Sequence, residues 1–436
     1  VKVWVVKTSE MLATDNDNGR LLRSGLVANL LDARGHTVTW WMSTFDHANR
    51  RNRAQSDIET PFGTRGVIRM LHSPGYRASV SLRRLRDHAR WGRAFRRRIA
   101  QAPRPDIIFC AYPTIEAAAV CAEFGRRHGI PVVLDLRDMW PDIFSEYVPA
   151  PVRPLARWLL WPWHMRARAA LQEATALFAI TEEFLAWGLR LAGRERRRWD
   201  GAFMLAYPEF DEGSGNGSAE LEAGEYWDRA GIKARGSFNV ALVGSMTRRR
   251  FEMPTVVAAA RLLQKEGAGI KFVLAGDGGD LNHYRMLAQD CGNVIFPGWL
   301  SAARIRELLA RSHVGLVPYR NTPDLVMSVP NKVGEYLAAG VPVATCLQGT
   351  LARLLARGDC GVSFGAHDPE SLAARLRELR ADEPRRLELS AHARQVYLGE
   401  LAAASVYGRL VERLEAMTRA AEEQSQSEAD RISVRT

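Results

Sequence analysis

PNKVGEYLAAGVPV, residues 330–343, is a short helix with its own start and stop signals. Pro330 and Asn331 open it, Glu335 follows one turn in, and Gly340 with Pro342 ends it and begins a strand. Unpaired N–H groups at such a helix start attract an anion, and a carboxylate one turn later can accept from the two hydroxyls of a ribose. That combination suits a sugar nucleotide. An ordinary amphipathic helix with solvated Lys332 and Glu335 fits the same letters. The flanks favour the first alternative, because HVGLVPY (313–319) reads as a strand running in and VPVATC (341–346) as one running out. The helix then lies at the carboxyl edge of a parallel sheet, where open α/β sheets bind ligands.

The same alternation of apolar runs and helical patterns continues along the chain. Strand candidates in the first half are KVWVV (2–6), TVTWW (37–41), DIIFC (106–110), PVVLD (131–135), ALFAI (176–180) and FMLAY (203–207). After the Gly/Ser/Glu-rich DEGSGNGSAELEAGE (211–225), the pattern restarts with FNVALVG (238–244), KFVLAGDG (271–278) and NVIFPG (293–298). This predicts an α/β protein with two Rossmann-like, doubly wound domains over 1–210 and 237–395, joined by a linker over 211–236. A helix over 396–418 follows, and the polar 419–436, which lacks apolar periodicity, is expected to be disordered. A length of 436 residues and 47% hydrophobic content suit two cores.

No apolar run approaches the roughly 20 residues needed to cross a bilayer, and VKVWVVKTSE reads as a first strand and not a signal peptide. Five scattered cysteines (Cys110, Cys121, Cys291, Cys346, Cys360), most of them in apolar runs, predict buried free thiols. There is no C-x-x-C and no histidine at ligand spacing, so neither a metal nor another cofactor is expected. Asp15-Asn16-Asp17 matches the D-x-D by which some sugar transferases hold a divalent ion, a pattern too short to weigh against this.

Charge is uneven. Residues 1–210 hold 32 Lys and Arg against 21 Asp and Glu, whereas 211–436 are neutral, so the net +11 belongs to the first half. Its densest part, SLRRLRDHARWGRAFRRRI (81–99), places Leu82, Leu85, Ala89, Gly92, Phe95 and Ile99 at helical spacing among arginines. Such a helix can be a solvated outer face, a nucleic-acid patch or a docking surface for anionic lipid. Nucleic acid is disfavoured because no recognised motif or interleaved stacking aromatics are present. LARWLLWPWHMRAR (155–168) sets Trp158, Trp161 and Trp163 beside arginines, which suits either a headgroup interface or a tryptophan-rich core helix.

Several separated motifs resemble one family. VLAGDGGD (273–280), NVIFPGWLSAARIRELLARSHVGLVPY and PNKVGEYLAAGVPV together look like the nucleotide-binding half of family-four glycosyltransferases of GT-B fold. RGHTVTWWMSTFDH (34–47) and PVVLDLRDMWPD (131–142) look like the subgroup that adds acetamido sugars in surface polysaccharide synthesis. The resemblance spans residues 1 to about 415. It implies a retaining, metal-independent transferase using a UDP sugar, with the donor in the second domain, the acceptor in the first and the reaction in the cleft between them. A lipid-linked or saccharide acceptor is expected, the basic first domain fits an anionic membrane face, and with no spanning run the location expected is cytoplasmic and peripheral to the inner membrane.

Carried across residue by residue, Glu335 matches the ribose-binding carboxylate. Gly244 and Ser245 fall on the loop passing the donor diphosphate, and Arg248, Arg249 or Arg250 would supply positive charge to the leaving group. Ser245 stands where a basic residue is usual. The family commonly has two glutamates two helical turns apart, and the first of them falls on Met327 here, so sugar recognition passes to the loop holding Asn331 and Lys332 or to backbone amides. Asp138 matches a polar residue beside the reacting centre and would orient or deprotonate the acceptor hydroxyl, the alternative being an Asp138–Arg137 pair or a helix cap. Gly19 matches the glycine that lets the first loop approach the donor, the alternative being a turn glycine with Arg20 and Arg23 as surface charges. Two other functions remain in view. One is a UDP-sugar 2-epimerase on the same fold, for which His36, His47 and His164 form no evident set; the other is a basic scaffold without enzymatic activity.

Overall fold

The computed structural model describes residues 1–12, 14–15, 21–78, 81–209, 217–233 and 236–433. Gly19, Arg20 and two of the three D-x-D residues, Asn16 and Asp17, lie outside them. The chain forms two compact units, Val1–Met204 with Val406–Thr436, and Leu205–Ser405.

Among the described residues, ten strands belong to the first unit: β1 (Lys2–Val6), β2 (Thr37–Ser43), β3 (Phe45–Asp46), β4 (Arg51–Asn52), β5 (Ile58–Phe62), β6 (Gly66–Leu71), β7 (Ile107–Tyr112), β8 (Val132–Leu136), β9 (Ala176–Ala179) and β10 (Gly201–Ala202). β3 and β4 pair alone; the other eight form one sheet in the order β10-β9-β8-β7-β1-β2-β6-β5, parallel except for the β5–β6 hairpin. Near-continuous burial along β1, β7, β8 and β9 explains their unbroken apolar spelling. The hairpin escapes a search for such runs because β5 is an edge strand with a half-polar pattern and Pro61 inside it.

FMLAY is not a strand. Only Gly201–Ala202 pairs with β9, and beyond Phe203 the backbone leaves the ladder. The Phe203 and Met204 carbonyls accept instead from the Arg23 guanidinium at 2.6 and 3.1 Å. Arg23, far from being a surface charge, is buried, and its other nitrogens hold Asp135 at 2.7 and 2.9 Å. Asp135 also accepts from Arg137 Nε at 2.7 Å, and Arg137 reaches Glu10 and the Ser24 hydroxyl. Burial works against the Asp135 charge, but the two guanidinium groups overcome it and hold the carboxyl below its usual range. Asp135 and Arg137 are therefore joints of the scaffold.

In the second unit, β11 (Phe238–Val243), β12 (Ile270–Ala275), β13 (Val294–Ile295), β14 (Val314–Val317), β15 (Val343–Thr345) and β16 (Gly361–Ser363) make an all-parallel sheet in the order β13-β12-β11-β14-β15-β16. Two segments depart from the expected layout. Part of the supposed linker, Gly217–Arg229, is a helix that buries Ala223 and Trp227 and donates from Trp227 Nε1 to the Arg304 carbonyl at 2.8 Å. The last helix, Ala403–Ser433, runs well past the predicted stop at 418. The stretch 419–433 lacks apolar periodicity, but it contains no Gly or Pro to end a helix propagating from the packed turns before it. Those turns bury Val406, Tyr407, Leu410, Val411, Leu414 and Met417. Glu415 pairs with His36 at 2.8 Å and with Arg34 at 3.2 Å, which ties the segment to the first unit.

The basic stretch is a helix over Leu82–Ile99, but its buried face is rotated from the expected one. Asp87, His88, Trp91, Gly92, Phe95 and Ile99 are inside, while Leu82 is largely exposed. Among its arginines, Arg96 pairs with Glu123 and Arg98 with Asp57. The tryptophan-rich stretch is two helices, Arg153–Leu159 and Trp161–Glu173. Here Trp158 is 71% and Trp161 61% exposed, and Val152, Leu155, Leu159 and Met165 are also exposed, so a core helix is not the explanation for these residues. All five cysteines are free and buried. Among the described residues no helix is long and apolar enough to cross a membrane.

Candidate functional site

The sheet of the second unit reverses its strand order between β11 and β14, and the loops leaving these two strands meet. Phe251 bridges Tyr319, and their rings stack at 4.6 Å. Glycines permit the loop packing around them. A Cβ on Gly276 would sit 1.8 Å from the Gly244 carbonyl oxygen, and one on Gly278 2.5 Å from that of Met246. This accounts for the spelling VLAGDGGD.

The Asn331–Ala338 helix runs between β14 and β15, opening after the extended Pro330 as its sequence indicates. A single turn of helix, Pro323–Val326, precedes it. Tyr336 Oη accepts from the Val243 N–H at 2.8 Å, anchoring the helix to the end of β11, and burial raises the pKa of that phenol. Gly315 makes room for the ring, since a Cβ there would lie 2.3 Å from it. Gly340, at φ +68°, ends the helix.

On this helix Lys332 and Glu335 are both buried, at 8% exposure each. The Lys332 ammonium is an orphan: Nζ has no hydrogen-bond partner and sits 4.5 Å from the Phe251 ring centre and 4.9 Å from that of Tyr319. A Cβ on Gly244 would stand 2.7 Å from it. Burial lowers the Lys332 pKa to about 7, with the Arg250 charge adding to the fall and Glu335 opposing it. Glu335 Oε1 accepts from Tyr207 Oη at 3.1 Å.

The remaining candidates divide. Asn331 is exposed at the first helical position, and Ser245 is exposed in the loop after β11. Arg248 is held by Asp280, donating to it from Nε at 2.7 Å and from its backbone N–H at 2.9 Å. Arg249 is exposed beside it. Arg250 lies close enough to Lys332 and Tyr319 to depress both their pKa values, although burial raises the Tyr319 phenol overall. Thus Gly244, Lys332 and Glu335 come together with Arg250 nearby, whereas Arg248 is turned to a carboxylate. Sequence reasoning missed Tyr207, Phe251, Tyr319 and Tyr336. Tyr319 at the end of HVGLVPY was the one available signal, because an aromatic leaving a strand at a switch point faces the site.

In the first unit the order reverses between β1 and β7, where Thr8 and Thr114 hydroxyls bond at 2.7 Å. Asp138 follows the adjacent β8, half-buried and near enough to the Lys7 ammonium and the Arg84 guanidinium to act on both electrostatically. Its neighbour Arg137 donates to Asp135 and Glu10. Asp15, the described member of the D-x-D, pairs with Arg53. Among the described residues no group of three or more His, Cys, Asp or Glu side chains is arranged to hold a metal ion.

Family models match both halves. "Glycosyl transferase 4-like domain" covers residues 23–200 and "Glycosyl transferases group 1" covers 237–382. A search of curated proteins returns no match. Among solved structures the chain is similar to the sucrose-phosphate synthase of Thermosynechococcus elongatus, with a TM-score of 0.69 at 14% identity over 96% of this chain and 99% of that one. It is also similar to WaaG, a glycosyltransferase involved in lipopolysaccharide biosynthesis, at 0.62 and 17% over 94% and 98%. Anabaena HepE in complex with UDP-glucose matches at 0.61 and 13% over 95% and 99%. At such identities these structures speak for the fold, and the two family models, one on each sheet, speak for the class: the chain is a glycosyltransferase of GT-B type, built from a glycosyl transferase 4-like domain and a group 1 domain.

Proposed function

We propose that the enzyme moves a sugar, N-acetylated in the manner of the acetamido-sugar subgroup, from a UDP sugar to a lipid-linked or saccharide acceptor in surface polysaccharide or lipopolysaccharide synthesis. The observation carrying this reading is the buried Lys332 ammonium, aimed between two aromatic rings at the strand-order reversal with no hydrogen-bond partner. An unpartnered buried cation is costly, and a diphosphate is the anion that a glycosyltransferase of this fold would bring to it. Glu335, one turn on, takes the ribose hydroxyls, Gly244 and Ser245 pass the diphosphate, Asn331 presents the helix start, and Arg250 joins Lys332 on the leaving group. Arg248 and Arg249 shape the loop's outer field. The presence of UDP-bound HepE and of a trehalose-6-phosphate protein bound with UDP-2-fluoro glucose among the structural neighbours supports the donor class.

The proposed chemistry retains configuration without a metal. The acceptor oxygen bonds to the anomeric carbon on the face from which UDP departs, the bond from that carbon to the β-phosphate oxygen breaks, and the acceptor proton passes to that phosphate oxygen. Lys332 and Arg250 stabilise the charge growing on the diphosphate, so no enzyme nucleophile is needed. Asp138 orients the acceptor hydroxyl. The enzyme works peripherally at the cytoplasmic face of the inner membrane, a proposal supported by the exposed Trp158 and Trp161 among arginines.

Calorimetric titration tests the donor site. Wild-type protein is expected to bind UDP saturably and Glu335→Ala to bind it about tenfold more weakly, with an unchanged melting temperature; equal affinity in the two proteins would remove the assignment. UDP release from a UDP sugar only on adding an acceptor separates transfer from 2-epimerisation.

A further inference from the structure

The first unit gathers a second set of cations that the donor site does not use. Lys7 leaves β1, His47 follows β3, and Arg84 and His88 come from the Leu82–Ile99 helix. Tyr76 and Trp140 pack among them. The Arg84 guanidinium lies 4.5 Å from the Trp140 ring centre and 5.4 Å from that of Tyr76, and His88 stacks on Trp140 at 5.6 Å. His47 Nδ1 is 2.7 Å from Tyr76 Oη and 2.9 Å from an Arg50 guanidinium nitrogen. A guanidinium only donates, so Nδ1 is the acceptor and the neutral ring carries its proton on Nε2.

Two polar groups of this corner are left over. His88 is 4% exposed, and its Nδ1 is buried without a partner. The Lys7 ammonium has no hydrogen-bond or ion-pair partner among the described residues. Nearby carboxylates are mostly committed. Asp46 accepts from the Ala48 and Asn49 backbone and from the Asn49 amide. Asp87 accepts from the Gly75 N–H, and burial raises its pKa. Asp135 and Glu10 are spent on Arg23 and Arg137. Asp138 lies within electrostatic reach of both Lys7 and Arg84. Both imidazoles are kept neutral, with burial and the surrounding cations lowering His47 to about 4 and His88 to about 3.

We infer that this corner, built by Lys7, His47, Arg84 and His88 beside Asp138, is a binding site for a phosphoryl group carried by the acceptor. The inference deepens the transferase reading and rests on it for the word acceptor, but the anion site itself stands on the first unit alone. A phosphoryl group has oxygens enough to accept from Lys7, Arg84 and the His47 Nε2–H together, and it gives the Lys7 ammonium the anionic partner that it lacks among the described residues. Its place at the carboxyl ends of strands flanking the β1/β7 reversal is where such sheets hold ligands. Asp138 then stands next to the anchored end of the acceptor. Two sources share this chemistry, a soluble sugar phosphate and a lipid-linked diphosphate.

The test is a titration of the full chain with inorganic phosphate after the donor site has been filled with UDP, read by calorimetry and by histidine ¹⁵N shifts. Wild-type protein should bind phosphate and move the His88 resonances. Lys7→Met and Arg84→Met should each weaken phosphate about tenfold or more, while Arg196→Met, the same charge loss at an exposed site, should not. No phosphate uptake by UDP-filled wild-type protein, or wild-type affinity in both Lys7→Met and Arg84→Met, overturns the inference. UDP affinity is measured first in each protein, so a failed donor site shows itself separately; the phosphate titration is then repeated without UDP, and the same variants decide. Competition by glucose 6-phosphate against farnesyl diphosphate assigns the source.

Discussion

Lys332 shows how a residue can weaken a protein in order to serve it. Its ammonium is buried with two aromatic faces but no hydrogen bond, and its pKa has fallen to about 7. A diphosphate binds the protonated form, so UDP affinity should fall as pH rises above about 7, by up to tenfold per pH unit, until the pKa of the complex is reached. The groups facing Lys332 are Glu335 on its own helix, Arg250 after β11 and Tyr319 after β14, whose phenol burial pushes further up. Lys332→Met should abolish that pH dependence and weaken UDP binding at pH 7. The same variant should melt about 2–4 °C higher, because removing a lone buried cation recovers roughly 1 kcal/mol. A Lys332→Met protein that melts lower while binding UDP normally would mean that the lysine is a core residue. The helix that carries Glu335 was legible from the start and stop signals of PNKVGEYLAAGVPV, whereas the aromatic pair around Lys332 was not: Phe251 and Tyr319 are neighbours only through the reversal of strand order.

At the scale of elements, apolar runs predicted the buried strands well because parallel strands covered on both faces have no polar alternation to confuse them. They failed where one face is open or where a side chain takes over the backbone. The β5–β6 hairpin is the first case and Phe203–Met204, whose carbonyls go to Arg23, the second. The Leu82–Ile99 helix illustrates a subtler miss. Its helicity was plain, but a tryptophan and a histidine, not Leu82, turn inward, because the periodic leucines were outweighed by the aromatic cluster that Trp91 and Phe95 make with Trp41. The consequence for membrane contact is measurable. Arg96 and Arg98 are engaged with Glu123 and Asp57, so Arg96→Ala/Arg97→Ala/Arg98→Ala should reduce sedimentation with phosphatidylglycerol vesicles only modestly. Trp158→Ala/Trp161→Ala, which removes two exposed rings without disturbing a core, should reduce it several-fold at unchanged melting temperature. Equal binding by the tryptophan variant and the wild type would relocate the contact elsewhere.

For the molecule as a whole, two sheets and two families of loop were visible in the letters, but the path of the chain between them was not. The Gly/Ser-rich opening of the interval 211–236 concealed the Gly217–Arg229 helix, and the polar ending concealed the continuation of the last helix to Ser433. Composition reports what a segment can bury, and both segments are helices that bury little or bury it late. Truncation separates the two parts of the terminal helix. Ending the chain after Thr418 leaves the buried run Val406–Met417 in place and should keep the melting profile. Ending it after Ser405 removes that run together with Glu415, the partner of His36 and Arg34, and should lower the first transition by several degrees or abolish it, as followed by differential scanning calorimetry. The first unit takes its final helix from the far end of the polypeptide, after the entire second unit has been encoded. On a ribosome, the domain that is begun first is therefore the one completed last, and some 200 residues of nascent protein pass while its unfinished flank waits for the closing piece.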